Sequence, residues 1–255
     1  MKRIVSLCLV VLAAFVVFGR ATCKKAGPER VVPEQVMKIK DHVYYHNVGI
    51  CYGDGYYYTI NGGNDGWGLV NVYDEQGEFV DSWEVELDGR AIFWHPDDEI
   101  LYVKEYGVNS YTVDPVDGEW DFDLTDVFAE ENSSPAMSTD GEYYYELTYD
   151  GEVSVLESFF GEPEDFIQLT KWSEEHGYAH ALAASDKYLF TWDEGGIVYV
   201  HDFGGNYVTR FELPRDGFGF SLSWCNGLLW IAEDADASDD GGNGYWYGYR
   251  LKGLR

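Results

Sequence analysis

The segment "VNVYDEQGEFVDSW", residues 70–83, is the stretch of sequence that decides the fold. It aligns without gaps with "VYVHDFGGNYVTRF", residues 198–211. In both copies alternate valines are typical of a half-buried strand, and an Asp and a Gly at matching places suit a tight turn before a second strand. Looser copies occupy residues 108–122 and 153–169. The segment therefore predicts a repeated strand–turn–strand unit.

Two further markers recur in phase with this unit. Aromatic or aliphatic runs are centred 40 to 45 residues apart, at Tyr58, Tyr102, Tyr145, Phe190 and Trp230. A small residue precedes an aliphatic one at the start of each unit, in Gly49-Ile50, Ala91-Ile92, Ala136-Met137, Ala181-Leu182 and Ser221-Leu222. A period of this length is typical of the four-stranded blades of a β-propeller. The sequence predicts an all-β chain with a single propeller of five blades, each with strands A to D from the axis outward.

The fifth unit lacks its outermost strand, because only four residues follow Leu251. Residues 36–45, "VMKIKDHVYY", form a strand that belongs to no unit. We expect this strand to pair with strand C of the fifth blade and close the ring, which removes an exposed sheet edge. The predicted organisation is a signal peptide over residues 1–22, a linker over 23–35 and a propeller over 36–255.

The "V-x-V-Y-D-x-x-G-x-F-V-x-x-W" pattern of residues 70–83 resembles the repeats of bacterial NHL and related YVTN or WD40-like propellers. The resemblance extends over nearly all the chain that follows the signal peptide. It implies a propeller fold. Propellers include enzymes, scaffolds and ligand-binding proteins, so the resemblance implies no particular activity.

The first residues predict export. Lys2 and Arg3 precede an apolar run over residues 4–18, which is too short for a transmembrane helix and is typical of a signal peptide. Cleavage after Ala21 and lipidation of Cys23 both remain open. We therefore expect a periplasmic, cell-surface or secreted protein, attached to a membrane only through a lipid on Cys23.

The charge of the chain limits its partners. The formal net charge is −29, and removal of the signal peptide takes away basic residues but no acidic one. Such a surface repels phosphate, so we expect no binding to nucleic acid. The acidity suits either surface hydration or binding of a divalent cation. Calcium is the candidate cation, because one loop places oxygen-bearing side chains at alternate positions, Asp234, Asp236, Ser238 and Asp240; otherwise no cofactor is expected.

Candidate ligand-binding residues concentrate in the loops that join strand D to the next strand A and strand B to strand C. In a propeller both kinds of loop lie on one face. The candidates are Arg90, His180, His46, Tyr178, Arg215 and Phe220. Among the cysteines, a disulfide between Cys51 and Cys225 is disfavoured, because both side chains are expected on the same side of their blades.

These features favour a binding module, a monomer that recognises a protein or a polysaccharide at the cell envelope. No nucleophile elbow, phosphate loop or paired-carboxylate motif stands out, so no catalytic residue is assigned. Two alternatives stay open. One is a propeller enzyme, a glycoside hydrolase or lactonase acting at the channel mouth, and the other is a structural envelope protein.

Overall fold

The structure is a computed structural model of the 255-residue chain. It describes residues 30–43, 46–62, 68–148, 150–158, 160–172, 180–193, 196–234 and 244–254. Within these ranges the chain consists of β-strands and turns, with no helix. A helix long and apolar enough to cross a membrane is accordingly not found in the described ranges.

The strands form five antiparallel four-stranded blades, and one short additional strand pairs in parallel with the fourth blade. The first blade contains β2 (Asn47–Gly53), β3 (Tyr56–Asn61), β4 (Leu69–Tyr73) and β5 (Phe79–Glu84). The second contains β6 (Gly89–His95), β7 (Ile100–Glu105), β8 (Ser110–Val113) and β9 (Trp120–Leu124). A short strand, β10 (Ser133–Ser134), precedes the third blade, β11 (Ala136–Met137), β12 (Tyr143–Leu147), β13 (Glu152–Glu157) and β14 (Pro163–Gln168). The fourth contains β15 (His180–Ala184), β16 (Tyr188–Trp192), β17 (Ile197–Asp202) and β18 (Tyr207–Glu212). The fifth contains β19 (Ser223–Cys225), β20 (Leu228–Glu233), β21 (Tyr245–Lys252) and, as its outer strand, β1 (Val32–Lys40).

The predicted five-bladed β-propeller is confirmed. The two aligned segments form equivalent hairpins, in which Val70 pairs with Trp83 and Val198 with Phe211. Both hairpins also carry a register shift at the same place, directly after Val72 and after Val200. The alignment without gaps therefore reflects the same backbone geometry in two blades.

Ring closure by the N-terminal strand is also observed. Strand β1 pairs antiparallel with β21, from Val32 opposite Lys252 to Lys40 opposite Tyr245. The strand begins at Val32 rather than at the predicted Val36, and it ends before Asp41. The contact joins the two ends of the described chain, so the outer strand of the last blade comes from before the first blade.

The core lies between neighbouring blades. Phe190 and Trp192 of the fourth blade, for example, pack with Ile231, Tyr247 and Tyr249 of the fifth. In the tyrosine-rich strands consecutive rings are buried on opposite faces of the blade: Tyr57 packs against Trp230 of the fifth blade, and Tyr58 stacks on Trp94 of the second. Because each blade is covered on both faces, its strands are stabilised mainly by burial of apolar surface.

Candidate ligand-binding channel

The five inner strands surround a central channel that contains a cavity of about 260 Å³. Every blade contributes inner-strand residues to its wall, including Val48, Ile50, Ala91, Phe93, Ala136, Met137, Leu182, Ala184, Leu222 and Trp224. Two of the small residues that open the repeat units, Ala91 and Ala136, are among them. Small side chains at the axis leave the space that larger ones would fill.

The cavity opens on the face formed by the turns between strands A and B. Thr139, Asn226 and Gly227 line the cavity at these turns and are exposed to solvent. Val48 and Ser134, which line the other end, are buried. Asn226 and Gly227 have φ values of 48° and 70°, as a two-residue hairpin turn of the Asn-Gly type requires. The mouth therefore lies on the face opposite the loops in which the sequence places the candidate ligand-binding residues.

One buried polar group in the wall has no protein partner. The side chain of Ser134 lines the cavity, is only 2% exposed, and its Oγ makes no hydrogen bond. The adjacent Ser133 differs, because its Oγ donates to Oε1 of Glu146 at 2.6 Å. Strand β10 holds both serines by pairing in parallel with β15 of the fourth blade. A buried hydroxyl without a partner is uncommon, and in a cavity it can bond a ligand.

Two cysteines also line the cavity, and both are free. Burial raises the pKa of the Cys51 thiol well above its ordinary value, and burial likewise raises the pKa of Cys225. Both thiols therefore stay protonated and uncharged near neutral pH. The described side chains of the wall are all uncharged, being aliphatic, aromatic, thiol, hydroxyl, thioether or amide groups.

Arg90 lies in β6, on the face away from the cavity mouth, and most of its guanidinium is engaged. Its Nη1 contacts Oδ1 of Asp88 at 2.6 Å, its Nε donates to Oδ1 of Asn132 at 2.8 Å, and the group stacks over the ring of Tyr106. Gly62 packs so close that a Cβ there would lie 2.7 Å from Nη1 of Arg90. These contacts join the second blade to its two neighbours.

Four other candidate residues come together on that face, at the junction of the fifth and first blades. The His46 ring stacks on Phe218 with a centroid separation of 5.5 Å, and Phe218 contacts Phe220. Asp234 accepts hydrogen bonds from the backbone N–H groups of His46 (2.7 Å) and Asn47 (3.2 Å). Arg215, Phe218 and Asp234 line an open depression of about 630 Å³. Arg90 does not belong to this group, because its contacts hold it in the second blade.

The remaining candidates lie outside the described residues, namely Cys23, Tyr178, Asp236, Ser238 and Asp240. His180 is the first residue of β15, and its side chain is not described. Within the described ranges no group of three or more His, Cys, Asp or Glu side chains is arranged to hold a metal ion. The calcium and ligand assignments on these residues stay predictions.

Ser134, Thr139 and the two cysteines were not assigned to a site from the sequence. The one sequence signal that could have placed them near the axis is their position beside the small residues that mark each inner strand. Ser134 and Thr139, for example, flank the Ala136-Met137 pair. A serine before a proline otherwise reads as an ordinary loop residue.

Comparison with known proteins supports the fold. No known protein family and no curated protein sequence matches the chain. Among solved structures, glutaminyl cyclase from Myxococcus xanthus is similar over 88% of this chain and 98% of that one, with a TM-score of 0.60 and 11% sequence identity. BamB from Moraxella catarrhalis covers 82% of this chain and 61% of that one, at 17% identity and a TM-score of 0.40. At such identities the likeness concerns the propeller fold alone.

Proposed function

We propose that this protein is an exported, non-catalytic binding module that recognises a protein or a polysaccharide of the cell envelope. The observation that carries the proposal is the cavity in the channel, a preformed space whose uncharged wall combines apolar and polar groups. Sites of this kind are the usual place for a ligand in a folded domain. The N-terminal charge and apolar run support export.

The electrostatics of the channel support binding over catalysis. A glycoside hydrolase uses two carboxyl groups at a defined separation, and acid–base catalysis needs a titratable group beside the reacting atoms. The described wall of the cavity carries uncharged side chains. Arg90, the cation that could orient a substrate at the other end of the channel, is held by Asp88 and Asn132.

The proposal is tested by probing arrays of envelope polysaccharides and peptides with the labelled domain and with Thr139→Trp. Thr139 is exposed at the rim, so a larger side chain covers the mouth without disturbing the core. Val116→Trp is the matched control, because Val116 is 82% exposed in a turn of the second blade, outside the cavity wall. We expect Thr139→Trp to lose ligands that Val116→Trp retains.

A purely structural envelope protein would give no array signal that depends on Thr139. Turnover assays with glycosides, lactones and a peptide with N-terminal glutamine belong to the same experiment; the glutamine peptide is included because a glutaminyl cyclase shares the fold. Catalysis of any of these reactions would contradict the proposal.

A further inference from the structure

The turns around the mouth of the cavity are strongly acidic. They join strands A and B of the five blades, and in sequence order they span residues 54–55, 96–99, 138–142, 185–187 and 226–227. Their carboxylates are Asp54, Asp97, Asp98, Glu99, Asp140, Glu142 and Asp186. All seven residues are exposed, and Lys187 is the one basic residue in these turns. An uncharged cavity therefore opens beside carboxylates from four of the five turns, and we call these seven residues the acidic rim.

The chain connectivity places the acidic rim at the cavity. Pro96 lines the cavity and Asp97 follows it, and Thr139 lines the cavity and Asp140 follows it. Ala184 lines the wall two residues before Asp186. The turns between strands C and D, farther out on the same face, add Asp74, Glu75, Asp114, Asp117 and Asp202. Carboxylates around a low-dielectric opening concentrate a negative potential there and attract cations.

Inside the cavity the chemistry is different. The wall is uncharged, and the buried Ser134 Oγ has no hydrogen-bond partner in the protein. A cation would lose its hydration at a high cost on entering such a cavity, whereas a neutral group with one polar end loses much less and can bond the Ser134 hydroxyl instead. The two regions therefore select different parts of one ligand, an uncharged part for the cavity and a cationic part for the rim.

We propose that the partner is a protein segment in which an apolar or aromatic side chain is flanked by lysine or arginine. The side chain enters the channel cavity, and the flanking cations remain at the acidic rim. The inference rests on the proposed binding function and names the chemistry of its ligand. It favours a basic peptide over a neutral or anionic polysaccharide, because only the former matches the charge of the rim.

The test uses a fluorescent peptide, Lys-Lys-Tyr-Lys-Lys, and its dissociation constant from anisotropy at low ionic strength. The comparison peptides replace Tyr by Gly, which keeps the charge, or the lysines by Ser, which keeps the ring. We expect each replacement to weaken binding about tenfold or more. We also expect raising the salt from about 20 to about 300 mM to weaken binding of the parent peptide, because salt screens exposed charges.

Two sets of variants locate the contacts. The triple variant Asp54→Asn, Asp97→Asn and Asp186→Asn neutralises the rim, and its control, Asp81→Asn, Asp121→Asn and Asp165→Asn, changes the same charge on the exposed outer strands β5, β9 and β14. We expect weaker binding for the rim variant only. Thr139→Trp should abolish binding. Ser134→Ala should weaken binding of the parent peptide several-fold more than binding of a peptide with Phe in place of Tyr.

The outcomes separate this inference from the proposed function. If the Ser-substituted peptide or an uncharged oligosaccharide binds as tightly as the basic peptide and Thr139→Trp abolishes it, the basic partner is wrong and the binding function stands. If the outer-strand control weakens binding as much as the rim variant, attraction is to the whole acidic surface and the site is wrong. If Thr139→Trp changes no binding of any kind, the channel is not the site and both proposals fail.

Discussion

The indole Nε1 of Trp246 donates a hydrogen bond of 2.7 Å to Oδ2 of Asp41, although the two residues are 205 positions apart. Asp41 directly follows the closing strand β1 and is 1% exposed. Its other oxygen accepts hydrogen bonds from the backbone N–H of Val43 and from the side chains of Asn71 and Tyr73. One carboxyl group thus connects the N-terminal segment with the first and fifth blades.

Replacing Asp41 should therefore loosen the closure of the ring. Asp41→Ala leaves the buried donors of Trp246, Asn71 and Tyr73 without an acceptor, and each such loss costs about 1–3 kcal/mol. We expect the free energy of unfolding in urea to fall by about 3 kcal/mol or more. Asp121→Asn, on an exposed strand, is the control and should change it little. A change below about 0.5 kcal/mol for Asp41→Ala would show that the hydrogen bonds do not hold the ring.

Lys104 predicts an unusual dependence of stability on pH. The side chain is fully buried, and Nζ donates to the backbone carbonyls of Glu130 (3.1 Å) and Glu131 (2.7 Å). Desolvation lowers the pKa of Lys104 to about 7, against the opposing attraction of Glu146. Above this pH the folded protein releases the proton while the unfolded chain keeps it up to about pH 10. Stability therefore rises with pH in this window.

We expect a gain of about 1 kcal/mol in unfolding free energy between about pH 7 and about pH 8. Lys104→Met removes the titrating group and should remove this gain. The range stops at about pH 8 because burial raises the pKa values of the Cys51 and Cys225 thiols; at higher pH these thiols ionise in the unfolded chain first, which lowers stability. An equal gain in the wild type and in Lys104→Met would contradict the assignment.

The neighbouring serines of β10 should respond in opposite ways to replacement by alanine. Ser133→Ala removes the hydrogen bond to the fully buried Glu146, and we expect a loss of about 1–3 kcal/mol. Ser134→Ala removes a hydroxyl that has no partner, so stability should stay the same or rise slightly. Thermal unfolding of both variants checks this. Comparable losses in both would mean that Ser134 supports the fold rather than a ligand.

Asp234 is expected to stabilise the junction of the fifth and first blades without calcium. Its two oxygens accept hydrogen bonds from the backbone of His46 and from the backbone and amide of Asn47. Asp234→Ala should cost about 1–3 kcal/mol in EDTA. At constant ionic strength, a saturable rise of the wild-type unfolding midpoint with calcium that Asp234→Ala abolishes would instead assign the ion to this loop.

The blades and the closing strand could be predicted from the sequence because both follow from repeats in the pattern of strands and turns. Asp41 and Trp246 lie far apart in the chain, and nothing local to either residue indicates their contact. The channel was harder to predict for another reason. The sequence points to the opposite face, because Arg90 and His180 stand out where basic residues are scarce. The cavity is lined instead by small and apolar residues such as Ala91 and Ala136, which in the sequence look like ordinary core residues.

The central claim is that the protein binds its ligand at the mouth of the cavity between the A-to-B turns. The most direct test is a titration of the ¹⁵N-labelled domain with the Lys-Lys-Tyr-Lys-Lys peptide, followed by NMR chemical shifts. The account predicts saturable shifts of Ser134, Thr139 and Asn226, with the signals of Arg215 and Phe218 unchanged. Shifts confined to Arg215 and Phe218 would place binding on the opposite face and contradict it.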